Sequence, residues 1–222
     1  MLSILTLTRS TQTATYRIMS SETEIQRKEG YHHGDLRAQL VEATRRLVEE
    51  KGPEQFSVSE ACRVAGVSTA APYRHFKDKD EMLAAVMMAG MERKFAMMRA
   101  AVAECPEGEL ERIVQLGRVY IRFATTEPGV FRLVFGLAHD HAKREELMEE
   151  APRHYALVEN EVALYLGRDE VDEDVKTRAF MLWTFVHGLS FLLIDEKVDV
   201  IDMPIDVEGL LWEIARRVMI DR

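Results

Sequence analysis

Along most of the chain apolar residues recur at steps of three and four, which gathers them on one face of a helix, and no stretch alternates as a half-buried strand does. In "DLRAQLVEATRRLVEEKG", Leu36, Leu40, Ala43, Leu47 and Val48 form one stripe, while Arg37, Glu42, Arg45, Arg46 and Glu49 take the other side. Gly52 and Pro53 end this helix. Further segments with helical period follow from Asp78 to the end of the chain, so the pattern predicts an all-α protein.

The segment "FSVSEACRVAGVSTAAPYRHF" carries the sharpest local signals. Ser57 with Glu60 three positions on reads as a capping box, and Phe56 before it as a hydrophobic staple onto Ala61. A helix opened at Ser57 runs to about Ala65, because Gly66 is the natural left-handed residue past a helix end. Ser68 or Thr69 then caps a third helix, expected from Thr69 to Phe76. With Thr69 as the cap, Pro72 falls in the first turn, where its missing N–H had no helical partner. Two short helices about a glycine turn are a helix-turn-helix arrangement. Its third helix is expected to expose Ala70, Tyr73 and either Arg74 or His75 and to close on Phe76.

Asp78, with Glu81 three positions on, caps a long helix carried by Met82, Ala85, Val86, Ala89, Phe95 and Met98 to about Glu104. It is expected to link a small N-terminal module to the remainder. The later segments read as amphipathic helices, apart from a short apolar one opened by Pro128 and one apolar on all sides, "VDEDVKTRAFMLWTFVHGLSFLLIDE". The domain reading is a poorly ordered tail over 1–29, a helix-turn-helix module over 30–78 and a larger helical domain over 79–222. A natural start at Met19 fits the polar stretch that follows it.

The 222 residues are 47% apolar and 30% charged, ordinary for a globular protein, and the formal charge is -9. That charge is uneven: Arg27 to Lys79 holds ten Lys or Arg against eight Asp or Glu, and Asp80 to Arg222 seventeen against twenty-eight. Only the N-terminal module is electrostatically suited to a polyanion, and nonspecific packaging of nucleic acid is disfavoured. Cys62 and Cys105 form no CxxC pair and are expected as buried, reduced thiols of a cytoplasmic protein. The opening residues lack the layout of a signal peptide, and no membrane span is expected, since the uncharged run Ala179 to Ile194 is short and holds Thr184, His187, Gly188 and Ser190. His139, Asp140 and His141 are adjacent and point to different sides of one turn, so no metal is expected there; His32 and His33 read as a solvated arm. No enzyme motif and no cofactor motif is present, and no cofactor is expected.

A recognition helix needs small residues at its start and donors beyond them. Thr69, Ala70 and Ala71 supply the first; Tyr73, Arg74 and His75 supply the second; Lys79 is placed for a phosphate. The segment from "YHHGDL" through "EKGPEQFSVSEACRVAGVSTAAPYRHFKDKDEMLAAV" resembles the N-terminal domain of the tetracycline-repressor (TetR) family of bacterial transcriptional regulators. Pro72 stands where that family often has leucine. "WTFVHGLSFL" from Trp183 resembles the C-terminal signature of a Trp-His-Gly subgroup. The resemblance implies that Thr69, Ala70, Tyr73 and His75 face the groove of a double-stranded, pseudo-palindromic DNA operator. It also implies that Lys79 touches backbone phosphate, with Ser57 and Ser68 as caps that gain a second role on phosphate.

The resemblance further implies a homodimer joined by the last two helices and a small-molecule effector bound among the middle ones. The candidate pocket comprises Met91, Phe95, Met98, Tyr120, Phe123, Phe131, Phe135, Tyr155, Trp183 and His187, residue types that at helical spacing are more often core than pocket. The candidate interface comprises Trp183, Gly188, Leu211, Ile214 and Val218. The function expected is a ligand-responsive regulator, a repressor released by a mostly apolar molecule; the alternative is a helical small-molecule carrier or enzyme without operator-specific binding.

Overall fold

The computed structural model describes residues 36–136, 144–198 and 205–220, with the side chains of 144–151 left aside. The readings of the 1–29 tail, Met19, His32, His33 and the His139 to His141 cluster lie outside the described residues.

Eight α-helices and no strand appear among the described residues: α1 (Leu36–Lys51), α2 (Val58–Ala65), α3 (Lys79–Ala103), α4 (Leu110–Thr126), α5 (Pro128–Phe135), α6 (Arg144–Tyr165), α7 (Glu173–Ile194) and α8 (Val207–Met219). Local chemistry sets their ends. Ser57 accepts from the Glu60 amide while the Glu60 carboxylate accepts from the Ser57 amide, so both members of the capping box are made. Gly66 closes α2 at φ 70°, a conformation that costs glycine nothing. Asp78, Asp172 and Asp206 cap α3, α7 and α8 through the amide three residues on.

The third element departs from expectation. In place of an α-helix from Thr69 to Phe76 the chain forms a turn and a 3-10 helix, Pro72–Arg74. Proline has no N–H to give the Ser68 carbonyl, so that carbonyl takes the Ala71 amide at 3.0 Å and the turn restarts at Pro72, whose carbonyl receives His75 at 2.8 Å and Phe76 at 2.9 Å. Pro72 and Phe76 are buried and hold the turn to the module.

Helix α4 is the axis of the larger part, packed against α3, α5, α6, α7 and α8. Gly117 makes this possible: a methyl group there would stand 2.8 Å from the Leu211 side chain and 3.3 Å from Val186. By length and composition α7 is apolar enough to cross a membrane, but here it lays Val175, Ala179, Leu182, Val186 and Leu189 into the core. Cys62 is buried and Cys105 only half-buried; both are free thiols.

One buried ion pair pins α4 to α6. The Arg112 guanidinium grips the Glu161 carboxylate at 2.6 and 2.8 Å and gives Nη1 to the carbonyls of Val102 and Cys105 at 2.7 and 2.8 Å, which fastens the end of α3 as well. With its donors matched, the pair holds three helices in register. Removing one partner strands the other, so Arg112→Met should cost about 3–5 kcal/mol in urea unfolding, whereas Arg112→Met with Glu161→Leu should recover most of it.

Candidate nucleic-acid interface and ligand cavity

The helix-turn-helix module presents a continuous outer surface. Ser68, Thr69 and Ala70 are exposed at the turn, followed by Tyr73, 63% exposed, Arg74 and His75. Beneath them Pro72 and Phe76 are buried, so inward packing orients the outward donors. Arg37 lies 5.2 Å over the Phe76 ring, a basic group at the edge of this surface that periodicity assigned only to a solvated face. Ser57 is committed to its cap.

Lys79 lies nearer the scaffold than a free phosphate ligand would. Its ammonium gives one hydrogen bond to the Glu54 carbonyl at 2.9 Å and sits 4.7 Å over the Phe56 ring, fixing the loop between α1 and α2. An ammonium has three donors, so this anchoring leaves two.

Five helices and the end of α5 line a partly open cavity of about 350 Å³. Its wall is Met91, Lys94 and Met98 of α3; Ile113, Val114, Leu116, Gly117 and Tyr120 of α4; Phe135 of α5; Pro152, His154, Tyr155 and Val158 of α6; Phe180, Leu182, Trp183 and Val186 of α7; and Leu211, Ile214 and Ala215 of α8. The volume suits a small organic ligand. Of the ten candidate residues, Met91, Met98, Tyr120, Phe135, Tyr155 and Trp183 border it. Phe95, Phe123, Phe131 and His187 do not: Phe123 and Phe131 are solid core, Phe95 stacks on His154 at 4.3 Å, and His187 stands behind Tyr120. A neutral His187 protonated on Nε2 accepts the Tyr120 hydroxyl at Nδ1 over 2.8 Å. Burial, then the positive charge of Lys94, pushes His187 below its usual range.

Lys94 escaped the sequence reading although it continues the stripe of Met87, Met91 and Met98. It is only 5% exposed and makes no ion pair among the described residues. Its ammonium lies 4.8 Å over the Tyr120 ring and 5.4 Å over Phe135, and burial alone lowers its pKa to about 8. The signal was available in the sequence: a cation on the buried stripe of an otherwise apolar helix face.

The candidate interface residues divide. Gly188 lies on the outer face of α7, with open space where a side chain would go, among exposed Phe180, Met181, Thr184 and Leu192. Leu211 does not lie on an interface surface: it is 3% exposed and packs against Gly117, because α8 uses its apolar stripe to close its own protomer. Ile214 and Trp183 line the cavity, and Val218 is half-buried.

Two rigid connections join module and cavity. Helix α3 runs from Lys79 through Met91, Lys94 and Met98. The Glu49 carboxylate of α1 accepts from the first amides of α5, Gly129 at 2.8 Å and Val130 at 2.9 Å, and the far end of α5 brings Phe135 to the cavity wall. Glu127 ahead of α5 pairs with Arg93 of α3 and lies 3.9 Å from Arg45 of α1.

Two family models match separate stretches of the chain. Residues 40–86 match the family described as "Bacterial regulatory proteins, tetR family", and 113–218 match "Tetracyclin repressor-like, C-terminal domain". An HTH-type transcriptional regulator of Mycobacterium tuberculosis is 26% identical over 70% of the chain and 64% of its own length. The nucleoid occlusion factor SlmA of Marinobacter nauticus is 23% identical over 71% of the chain and 78% of its own. Among solved structures, a Rhodococcus sp. RHA1 protein of unknown function superposes with a TM-score of 0.71 at 26% identity, covering 86% of the chain and 97% of its own.

The buried Lys94 has a measurable consequence for stability. Because folding lowers its pKa to about 8, the charged form opposes folding fully below that pH, and the opposition fades as the pH rises towards the ordinary lysine value. Lys94→Met should therefore stabilise the free protein at pH 7, by an amount on the order of 3 kcal/mol, and thermal melts should show the advantage shrinking between pH 8 and 10. Burial raises Tyr120 and Tyr155 above their usual range and lowers His187, which stands behind Tyr120, below its own, so none of the three changes charge in the folded protein between pH 8 and 10.

Proposed function

As a member of the TetR family of bacterial transcriptional regulators, the chain is a ligand-responsive DNA-binding regulator rather than an enzyme, and we propose that it is a cytoplasmic homodimeric repressor released by a mostly apolar small molecule. The observation that carries this reading is the sharing of one helix, α3, between an exposed helix-turn-helix surface at one end and a largely apolar cavity further along.

In this reading Thr69, Ala70, Tyr73 and His75 face the major groove, with Arg74 beside them. Lys79 meets a backbone phosphate through the donors that Glu54 leaves over, and Ser57 approaches phosphate from the start of α2 and Ser68 from the turn before Pro72. The module is residues 30–78, and 79–222 bind effector and partner. The operator is a pseudo-palindrome, since a two-fold dimer sets its two modules about one turn of DNA apart, ~34 Å. The outer face of α7 around Gly188, with Met181 and Leu192, supports its role as the seam between protomers: it is apolar and uncovered in a single chain. Trp183, His187 and Gly188 support membership of the Trp-His-Gly subgroup.

Effector binding acts by population shift. A ligand that fits the cavity best when α3 and α5 are displaced favours the form whose modules are wrongly spaced for the operator. Because α5 is clamped to α1 by Glu49 and α3 continues into the module, displacement at the cavity wall reaches the DNA surface without bending either helix.

Electrophoretic mobility shifts test the DNA surface. Lys79→Ala should weaken binding to operator and random duplex alike and reduce the salt slope by about one. Substitution of Thr69 by valine should instead change which operators are preferred. Unchanged binding of Lys79→Ala to both duplexes would remove the lysine from the phosphate contact.

A further inference from the structure

The cavity is not uniformly apolar, and its asymmetry names the ligand more closely than "mostly apolar" does. Three walls are aliphatic or thioether: Met91 and Met98, Leu116 and Val114, Val158 and Leu182. Against them stands Lys94, a side chain 5% exposed whose ammonium has no carboxylate, phosphate or carbonyl partner among the described residues. The faces of Tyr120 and Phe135, at 4.8 and 5.4 Å, offset its lost hydration only in part. A buried cation of this kind ordinarily carries an acid beside it. Arg112, the other deeply buried cation of this domain, has Glu161 and two carbonyls. Lys94 is thus an unmatched positive charge facing a space that holds a small organic molecule. A second polar group without a hydrogen-bond partner among the described residues, the buried Tyr155 hydroxyl, lines the same cavity from α6.

We infer that the effector is an amphiphile with a single carboxylate, its head paired with the Lys94 ammonium and its hydrocarbon body laid along the methionine and leucine walls. This rests on the regulator reading for its biological meaning, though the binding event itself does not. The head is a monoanion because the site offers one point charge. A phosphate dianion would keep an uncompensated charge away from water, with no arginine fork and no nest of amides to receive it. The body is apolar because most of the remaining lining is apolar; the exceptions are Tyr120, whose hydroxyl is engaged with His187, His154, which is stacked on Phe95, Trp183 and the Tyr155 hydroxyl. An amphiphile that matches the charge also offsets the cost of burying Lys94, so binding and stabilisation are coupled.

The test is calorimetric titration of the full chain, without DNA, using decanoate, decanol and decyl phosphate at pH 7, on the parent and on Lys94→Met and Lys94→Arg. Expected is binding of decanoate at least tenfold tighter than decanol or decyl phosphate. Lys94→Met should lose at least tenfold for decanoate while holding decanol as the parent does, and Lys94→Arg should retain the preference for the acid. Folding of each variant is read from its melting curve. Equal affinity of the parent for decanoate and decanol, binding of neither, preference for the phosphate, or undiminished decanoate binding by Lys94→Met would each overturn the inference. Operator binding by the ligand-free protein is measured separately, so failure of the carboxylate assignment leaves the regulator reading standing, and loss of operator binding leaves the carboxylate assignment to the calorimeter.

Discussion

A continuous α-helix cannot bend sharply without giving up backbone hydrogen bonds, and that constraint on α3 organises the molecule. Twenty-five residues from Lys79 to Ala103 form one rod of roughly 38 Å. Asp78 anchors its start beside the exposed turn, Met91 to Met98 line the cavity, and Val102 offers its carbonyl to Arg112. Glu49 adds a parallel strut by receiving the amides at the start of α5. Module and cavity are therefore mechanically joined twice, and Gly90 lets the two struts touch, since a methyl group there would lie 2.6 Å from Val130.

Arg112 and Lys94 illustrate opposite solutions to one cost. Arg112 pairs with Glu161 and two carbonyls and serves as a rivet between α3, α4 and α6. Lys94 is left without an acid among the described residues, which makes the cavity a place where an opposite charge is favoured. A site that tolerates a standing penalty until its ligand arrives couples occupancy to the stability of the helices around it. Because Lys94 is itself a residue of α3, that coupling acts on the rod that reaches the DNA surface.

Much of this was legible in the sequence where the signal is local. The capping box at Ser57, the glycine stop at Gly66, the Asp78 cap and the helical period of α1 to α8 are decided by neighbours within a turn. The 3-10 turn at Pro72 was not, because proline is acceptable in the first turn of an α-helix and its hydrogen-bond pattern depends on how Pro72 and Phe76 are buried together. Apolar spacing places Phe123, Phe131, Met91 and Met98 alike on inward faces, but whether the space they face is filled depends on five helices at once. The same limit hid the fate of Leu211: one stripe on α8 serves a partner or its own protomer, and packing against Gly117 settled it. Lys94 is visible in the sequence only as a lysine in register with Met91 and Met98; its burial is decided by Tyr120 and Phe135, which come from other helices.

The central claim is that the surface from Ser57 to Lys79 reads duplex DNA as part of a two-fold pair. Hydroxyl-radical footprinting of fragments that the purified protein retains from its own genome tests it directly. The account predicts two protected patches in an inverted repeat, their centres about one helical turn apart. Uniform protection without a repeat, or no retained fragment at all, would contradict it.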